Sequence, residues 1–341
     1  MAKYFENIVG NVKLKAMLSS YIENNSLPHA FIIEGAKGSG KKLIAQSVCA
    51  AISCKNNLSD NIPCQKCINC EKIFKCISPD VVMIDAQGKS TIGVDVIREL
   101  KTHTYMSSNE LDKKAYIIDE ADKMTPQAQN AFLKILEEPV TDVIFFLLCE
   151  NSGALLPTII SRAPIIRTTP VERKAIYEYV KERNGSVSEQ RIKTITALSR
   201  GNIGTALLFF NDSSDLEQAE ETRARVYEFL SLSSNKSSKY DIMSFFSKCS
   251  DKSPELIELL HQIYASMRDL IMFKETKTAH FDFFIDSDDA SNNSKNIKSR
   301  YCKKICVLIE STIEQLQFNQ GSSSASSIMF NFSLKVWGAR I

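Results

Sequence analysis

The sequence predicts an α/β domain built on a parallel sheet, followed by an all-helical remainder. Three observations carry this reading. Short runs that are apolar throughout alternate with helical periodicities over the first half of the chain. Strands apolar on both faces belong to a sheet covered on both faces, and such sheets are parallel. A glycine-rich loop separates the first of these strands from the helix after it. Beyond about Thr168 the strands stop and only helical periodicity continues.

In chain order, Ala30-Phe31-Ile32-Ile33 is the first strand and ends at Gly35. Lys41 to Cys54 follows with apolar residues at helical spacing, Leu43, Ile44, Val48 and Ile52. Val81-Val82-Met83-Ile84 and Ala115-Tyr116-Ile117-Ile118 are the second and third strands. Thr125 is placed to cap a helix with Pro126 in its first turn. Ala128, Ala131, Phe132, Ile135 and Leu136 line one face of that helix, and Pro139 ends it. Val143 to Leu148 is the fourth strand, and Ile165-Ile166 offer a fifth. Helical runs then cover Arg173 to Arg183, Glu189 to Ser199, Glu217 to Leu230, Ser253 to Phe273 and Lys303 to Leu316. Polar breaks fall at Asn211 to Asp215, read as a domain boundary, at Ser231 to Ser238, and at Asp286 to Ser299, read as a solvated loop or a disordered insertion.

A chain of 341 residues has room for two or three domains. With 42 Lys+Arg against 40 Asp+Glu the net charge is +2, which argues against a protein that wraps nucleic acid alone. No apolar run approaches the roughly 20 residues of a membrane span. Met1 to Asn11 lacks a leader pattern, so a cytoplasmic chain is expected. The ten cysteines are therefore not expected to form a disulfide framework.

Gly35-Ala36-Lys37-Gly38-Ser39-Gly40-Lys41-Lys42 follows a strand and opens a helix. Glycines in such a loop turn backbone N–H groups inward to cradle phosphates, and the helix N-terminus adds a favourable field. Lys41 is placed to reach the β- and γ-phosphates. The next position ordinarily carries a hydroxyl that holds Mg²⁺. Here it is Lys42, which cannot ligate a cation and repels one. Ile117-Ile118-Asp119-Glu120 supplies the acidic strand end that such folds use to hold the metal and to activate water. ATP with Mg²⁺ is thus an open reading: the acids are intact and the hydroxyl is missing.

Cys54, Cys64, Cys67 and Cys70 lie in an insertion between the phosphate-loop helix and the second strand. Four thiolates in so short a span satisfy a tetrahedral structural Zn²⁺ with no position open to water. Free surface thiols are the plain alternative, and an iron–sulfur cluster the other, though nothing else points to redox work. Cys76 is a nearby spare. The remaining cysteines read as small buried apolar residues.

Phe5-Glu6-Asn7-Ile8-Val9-Gly10-Asn11, Leu27-Pro28-His29-Ala30, the order of phosphate loop, four-cysteine insertion and acidic strand end, and Asp119-Glu120-Ala121-Asp122-Lys123-Met124 together resemble the AAA+ subunits of bacterial clamp loaders. Asn130-Ala131-Phe132-Leu133-Lys134-Ile135-Leu136-Glu137-Glu138-Pro139 is similar to the family's N-A-L-L-K-x-L-E-E-P. Leu155-Leu156-Pro157-Thr158-Ile159-Ile160-Ser161-Arg162-Ala163 is similar to its S-R-C segment, with Ala163 in place of the cysteine.

The resemblance implies an AAA+ domain at 1–168 with a zinc knuckle at 54–70, a helical lid at 169–211 and a helical collar or oligomerisation domain at 212–341. It implies that Arg162 acts as an arginine finger on a neighbouring subunit's nucleotide. Ser199-Arg200-Gly201-Asn202-Ile203-Gly204 resembles the family's second-sensor helix, with Gly204 where the motor subunit carries arginine. Together with Lys42 and the absence of a tau-like extension, this points to the delta-prime role in the DNA polymerase III clamp loader. The implied partners are gamma/tau, delta, the sliding clamp and primer-template DNA. The alternatives are a gamma-type ATPase and a zinc-dependent DNA-binding module on an AAA+ scaffold.

Overall fold

The computed structural model describes residues 4–56, 61–86, 88–138, 142–183, 188–233, 237–249, 252–276, 281–284, 287–295, 297–318 and 322–340. The helix stop expected at Pro139 lies outside the described residues. The strands are β1 Ala30–Glu34, β2 Val81–Ile84, β3 Lys114–Ile118, β4 Val143–Cys149 and β5 Ile165–Arg167. The helices of the first half are α1 Val12–Glu23, α2 Lys41–Ile52, α3 Ile68–Phe74, α4 Val94–Thr104, α5 Pro126–Glu137, α6 Pro157–Ile160 and α7 Arg173–Arg183. Those that follow are α8 Glu189–Leu198, α9 Ile203–Asn211, α10 Ser213–Leu232, α11 Lys239–Ser247, α12 Ser253–Thr276, α13 Ser287–Ser294, α14 Ser299–Phe318 and α15 Ser322–Gly338. Two units emerge: Met1–Arg183 with Gly201–Thr205, and Asn184–Arg200 with Ala206–Ile341.

The first unit is the expected α/β domain. Its five strands run parallel in the order β2-β3-β4-β1-β5. Successive side chains of a strand point to opposite faces, and both faces are buried here. Phe31, Ile33, Ile117, Phe146 and Leu148 pack with Ile44 and Val48 of α2 and with Phe5, Leu14 and Leu18. Ile32, Tyr116, Ile118, Phe145 and Leu147 pack with Ile97 and Leu100 of α4 and Phe132 and Ile135 of α5. Phe31 and Phe146 stack at 5.6 Å, and Phe132 meets Phe145 edge-on at 5.4 Å. Burying each such side chain contributes about 1.5–3 kcal/mol. This is why the apolar runs were legible as strands.

Local chemistry sets the start of α5. Thr125 Oγ1 accepts the Ala128 N–H at 3.2 Å, with Pro126 in the first turn. A cap of this kind contributes about 1 kcal/mol. Asp80 is fully buried before β2 and accepts N–H groups from Asn109, Glu110 and Leu111 at 2.7–2.9 Å. Burial pushes its pKa up, but those three N–H groups and Lys114 outweigh it and hold the carboxyl below its usual value.

The second unit has helices and connecting loops, with no strand among its described residues. Its core draws on Phe229, Phe245, Leu260, Ile263, Met267, Ile305, Ile309 and Phe332. One expectation needs correction. The polar stretch at 286–299 is not simply a loop, because α13 occupies Ser287–Ser294. Ala290 is fully buried there, and Asp289 accepts from Tyr227 and pairs with Arg223 at 3.6 Å. Packing and ion pairing override the polar composition. The break at 211–215 shrinks to Asp212, which caps α10 through the Ser214 N–H at 2.9 Å.

Candidate functional site

The carboxyl ends of β1, β3 and β4 converge on one cavity of about 680 Å³. In an open α/β sheet this is where ligands bind. Its lining includes Lys37, Gly38, Gly40, Lys41, Lys42, Asp119, Glu120 and Glu150. The β-strand register brings this about: Glu34 lies opposite Cys149, and Ile118 opposite Leu147. The phosphate-loop residues and the acidic strand end, 80 residues apart in sequence, therefore meet as expected.

Gly35 opens the loop, its N–H donating to the Cys149 carbonyl at 3.1 Å. Gly38 and Gly40 have φ of +79° and +88°, a left-handed conformation that only glycine adopts freely. Lys41 Nζ lies on the carbonyls of Gly35 and Ala36 at 2.7 and 3.0 Å. Lys42 is exposed. Asp119 Oδ1 accepts the Glu120 N–H at 3.0 Å, and Glu120 pairs with Lys123 at 2.8 Å.

Sequence reasoning missed what holds the loop from outside. Asn202 Nδ2 donates to the Lys37 carbonyl at 2.5 Å, and the Gly204 N–H to the Gly38 carbonyl at 3.0 Å. A Cβ on Gly204 would fall 2.5 Å from the Gly38 carbonyl oxygen. Position 204 therefore has no room for any side chain while the helix start stays docked on the loop. Thr168 Oγ1 adds a third grip through Ser39 Oγ at 3.0 Å.

The four expected cysteines come together. Cys54 follows α2, Cys67 precedes α3 and Cys70 lies within it, and the four Sγ atoms are all within 4.8 Å of one another. Tetrahedral Zn²⁺ with bonds of about 2.3 Å places its sulfurs about 3.8 Å apart, so the donor set fits. Cys67 donates its N–H to Cys64 Sγ at 3.3 Å, and Asn69 Nδ2 fixes the Ser53 carbonyl at 2.8 Å. Burial pushes the Cys54 and Cys70 thiols up. At Cys67 burial acts the same way but is outweighed by hydrogen bonds from the Cys70 and Lys55 backbones, which bring it to about 6. Cys76 stands outside this group and accepts from Gln46 Nε2 at 3.1 Å. Burial pushes Cys49, Cys149 and Cys302 up to about 12, consistent with inert packing thiols.

Arg162 lies just after α6, exposed and apart from the cavity lining. Its guanidinium donates to the Thr158 carbonyl at 3.1 Å and to Glu137 Oε1 at 3.0 Å. Gln129 of α5 ties the approach to α6. Its Nε2 donates to the Met124 and Ala154 carbonyls, both at 3.2 Å, and its Oε1 accepts the Leu156 N–H at 2.7 Å.

No helix among the described residues is long and apolar enough to cross a membrane. A protein-family model described as "DNA polymerase III, delta subunit" matches residues 10–172. The DNA polymerase III subunit gamma of Buchnera aphidicola subsp. Acyrthosiphon pisum is 27% identical over 274 residues, covering 79% of this chain and 75% of that protein. The DNA polymerase III subunit delta' of Bacillus subtilis is 33% identical over 221 residues, 64% of this chain and 64% of that protein. A DNA polymerase III gamma subunit-related protein of Thermotoga maritima, known from its crystal structure, aligns over 95% of this chain and 99% of its own at 20% identity and a TM-score of 0.46. Gamma and delta-prime subunits thus both stand among the relatives of this sequence. These matches support a clamp-loader family member, similar to the gamma, tau and delta-prime subunits of DNA polymerase III alike.

Proposed function

We propose that this chain takes the delta-prime role in a bacterial DNA polymerase III clamp loader. It presents Arg162 in trans to the nucleotide of an adjacent gamma/tau motor subunit. With gamma/tau and delta it helps place the sliding clamp on primer-template DNA in the cytoplasm. A cation fixed against the transferring phosphoryl group stabilises charge that develops in the transition state, an effect of about 10³–10⁵ where arginine fingers have been measured. The Cys54, Cys64, Cys67 and Cys70 group holds one structural Zn²⁺, which adds folding free energy to the insertion. The domain layout that goes with this role is an AAA+ domain at 1–168, a lid at 169–211 and a collar at 212–341.

The observation that carries this reading is Gly204. A motor subunit needs a long cationic side chain there, and a Cβ at this position already collides with Gly38. Lys42 points the same way, since it gives Mg²⁺ no oxygen. A second reading, a short gamma-type ATPase, is favoured by Asp119 and Glu120, which line the cavity with Lys41. Reconstitution separates the two. Under the proposed role the isolated chain turns over no ATP, and a complex of motor and delta subunits loads clamps only when the chain is present. Robust Mg²⁺-dependent turnover by the isolated chain, abolished by Lys41→Ala, would establish the second reading instead.

A further inference from the structure

The exposed seam between α12 and α14 changes chemistry along its length. Two contacts fix the register of these antiparallel helices: Lys303 pairs with Glu275 at 3.1 Å, and the Tyr264 hydroxyl donates to Glu310 at 2.9 Å. Tyr264, Arg268, Met272 and Glu275 recur at helical spacing on one face of α12, as Arg300, Lys303, Val307 and Glu310 do on α14. Met272 and Val307 therefore lie between the two cross-links. They are 44% and 65% exposed, and neither belongs to the apolar core of this unit. The seam is cationic where α14 begins. Lys298 and Arg300 are exposed and enter no ion pair among the described residues. Lys274 donates to the Ile297 carbonyl, Lys295 to Asn292 Oδ1 at 3.2 Å and Lys304 to the Ala339 carbonyl at 3.3 Å, all neutral acceptors that leave the charge uncompensated. Of the nearby acids, Glu275 is taken by Lys303 and Asp282 by Arg268, and Asp288 stands at the opposite end of α13 from Lys295. The other end of the seam is anionic, with Glu310 and the exposed Glu314 one turn on. In a chain of net charge +2 this cationic cluster is a local concentration.

We propose that this seam docks an acidic segment of a partner protein that carries an apolar side chain. Its carboxylates meet Lys298 and Arg300, and its apolar residue covers Met272 and Val307. Charge complementarity selects the class of partner and speeds its encounter. The apolar middle selects a peptide over a nucleic acid. A phosphate backbone gives Met272 and Val307 nothing to bury against, and laid along the seam it runs onto Glu310 and Glu314. From Arg300 to Glu310 the helix rises about 15 Å at 1.5 Å per residue. An extended segment of about five residues covers that distance. Methionine packs adaptably against different apolar shapes, which suits a segment defined by composition more than by one exact side chain.

The test is fluorescence anisotropy of the full chain with a labelled peptide of about ten Asp and Glu residues around a central Leu-Phe pair. The same peptide with Ser-Ser at its centre and a short DNA duplex are the comparisons. Thermal melting checks that the variants, all at exposed positions, remain folded. The wild type should bind the Leu-Phe peptide about tenfold more tightly than the duplex, and more weakly as salt rises. Lys298→Glu combined with Arg300→Glu should weaken peptide binding about tenfold or more. Val307→Ser should weaken the Leu-Phe peptide about fivefold and leave the Ser-Ser peptide unchanged. Absence of peptide binding overturns the proposal, and so does duplex binding as tight as that of the peptide. Unchanged affinity in the charge-reversed variant overturns it too. Loss of the site in a complex reconstituted with gamma/tau and delta would show that a folded subunit face covers the seam, and likewise overturns it. None of these outcomes bears on the role of Arg162.

Discussion

Arg162 and Glu137 form an ion pair at 3.0 Å that joins the end of α6 to the end of α5. The two residues stand in the two stretches that most resemble the clamp-loader family, so the motif helix supports the residue proposed to act in trans. Both side chains are more than a third exposed, at 37% and 51%. A pair of this kind contributes about 0–1 kcal/mol to stability, and its value lies in orientation.

Glu137→Ala should therefore leave the melting temperature within a degree or two, while the DNA- and clamp-stimulated ATPase of the reconstituted complex falls about two- to fivefold. Glu137→Asp should recover part of the loss. Steady-state turnover beside a thermal melt checks both. An unchanged turnover would mean that Glu137 does not orient the guanidinium.

Gln129 should matter more for folding. It is buried, and its amide satisfies three backbone groups. Gln129→Ala strands buried donors and acceptors at about 1–3 kcal/mol, measurable by urea unfolding. It should also loosen the chain before α6, seen as faster hydrogen exchange at residues 154–162.

Gly204→Ala separates two opposing effects. In an unobstructed helix alanine would stabilise by about 1 kcal/mol. Here its Cβ would meet the Gly38 carbonyl oxygen at 2.5 Å, and overpacking of that kind costs about 1–3 kcal/mol. A net loss of stability is expected, with faster exchange at residues 36–40. A gain would show that the helix start is not docked on the loop.

Asp80 gives a pH signature. Its carboxyl is held below the usual value of 3.8 in the folded chain. The stability it contributes is present above the unfolded pKa and is lost as pH falls through the lower folded pKa. Asp80→Asn should destabilise the protein at pH 7, and the gap to wild type should narrow as pH drops below about 4. Paired urea titrations at pH 7 and pH 3.5 measure it.

The parts of the molecule that were legible in the sequence are those fixed by local pattern. The apolar runs at 30–33, 115–118 and 143–148 became strands that bury both faces, and the run at 81–84 became the half-buried edge strand. The cysteine spacing was legible because four ligands in a short span can close only around one point. Gln129 and Asn202 were not, because Gln129 reaches Ala154 25 residues on and Asn202 reaches Lys37 165 residues back. Nothing local distinguishes Gly204 from a helix-start glycine; its role appears only when Gly38 is brought against it. The helix at Ser287–Ser294 was hidden by its polar composition, since its support comes from Tyr227 and Arg223 on α10.

The most direct test of the delta-prime role is clamp loading by complexes reconstituted with Arg162→Ala. The side chain is exposed, so the variant should fold and assemble as the wild type does. Clamp loading should fall sharply. Total stimulated ATPase should fall only in part, because the other motor sites keep their own arginines. Arg162→Lys should rescue poorly, lacking the planar fork that grips two phosphate oxygens. Loading at the unmutated rate, with assembly confirmed by gel filtration, would contradict the role in trans and leave Arg162 as a surface residue paired with Glu137.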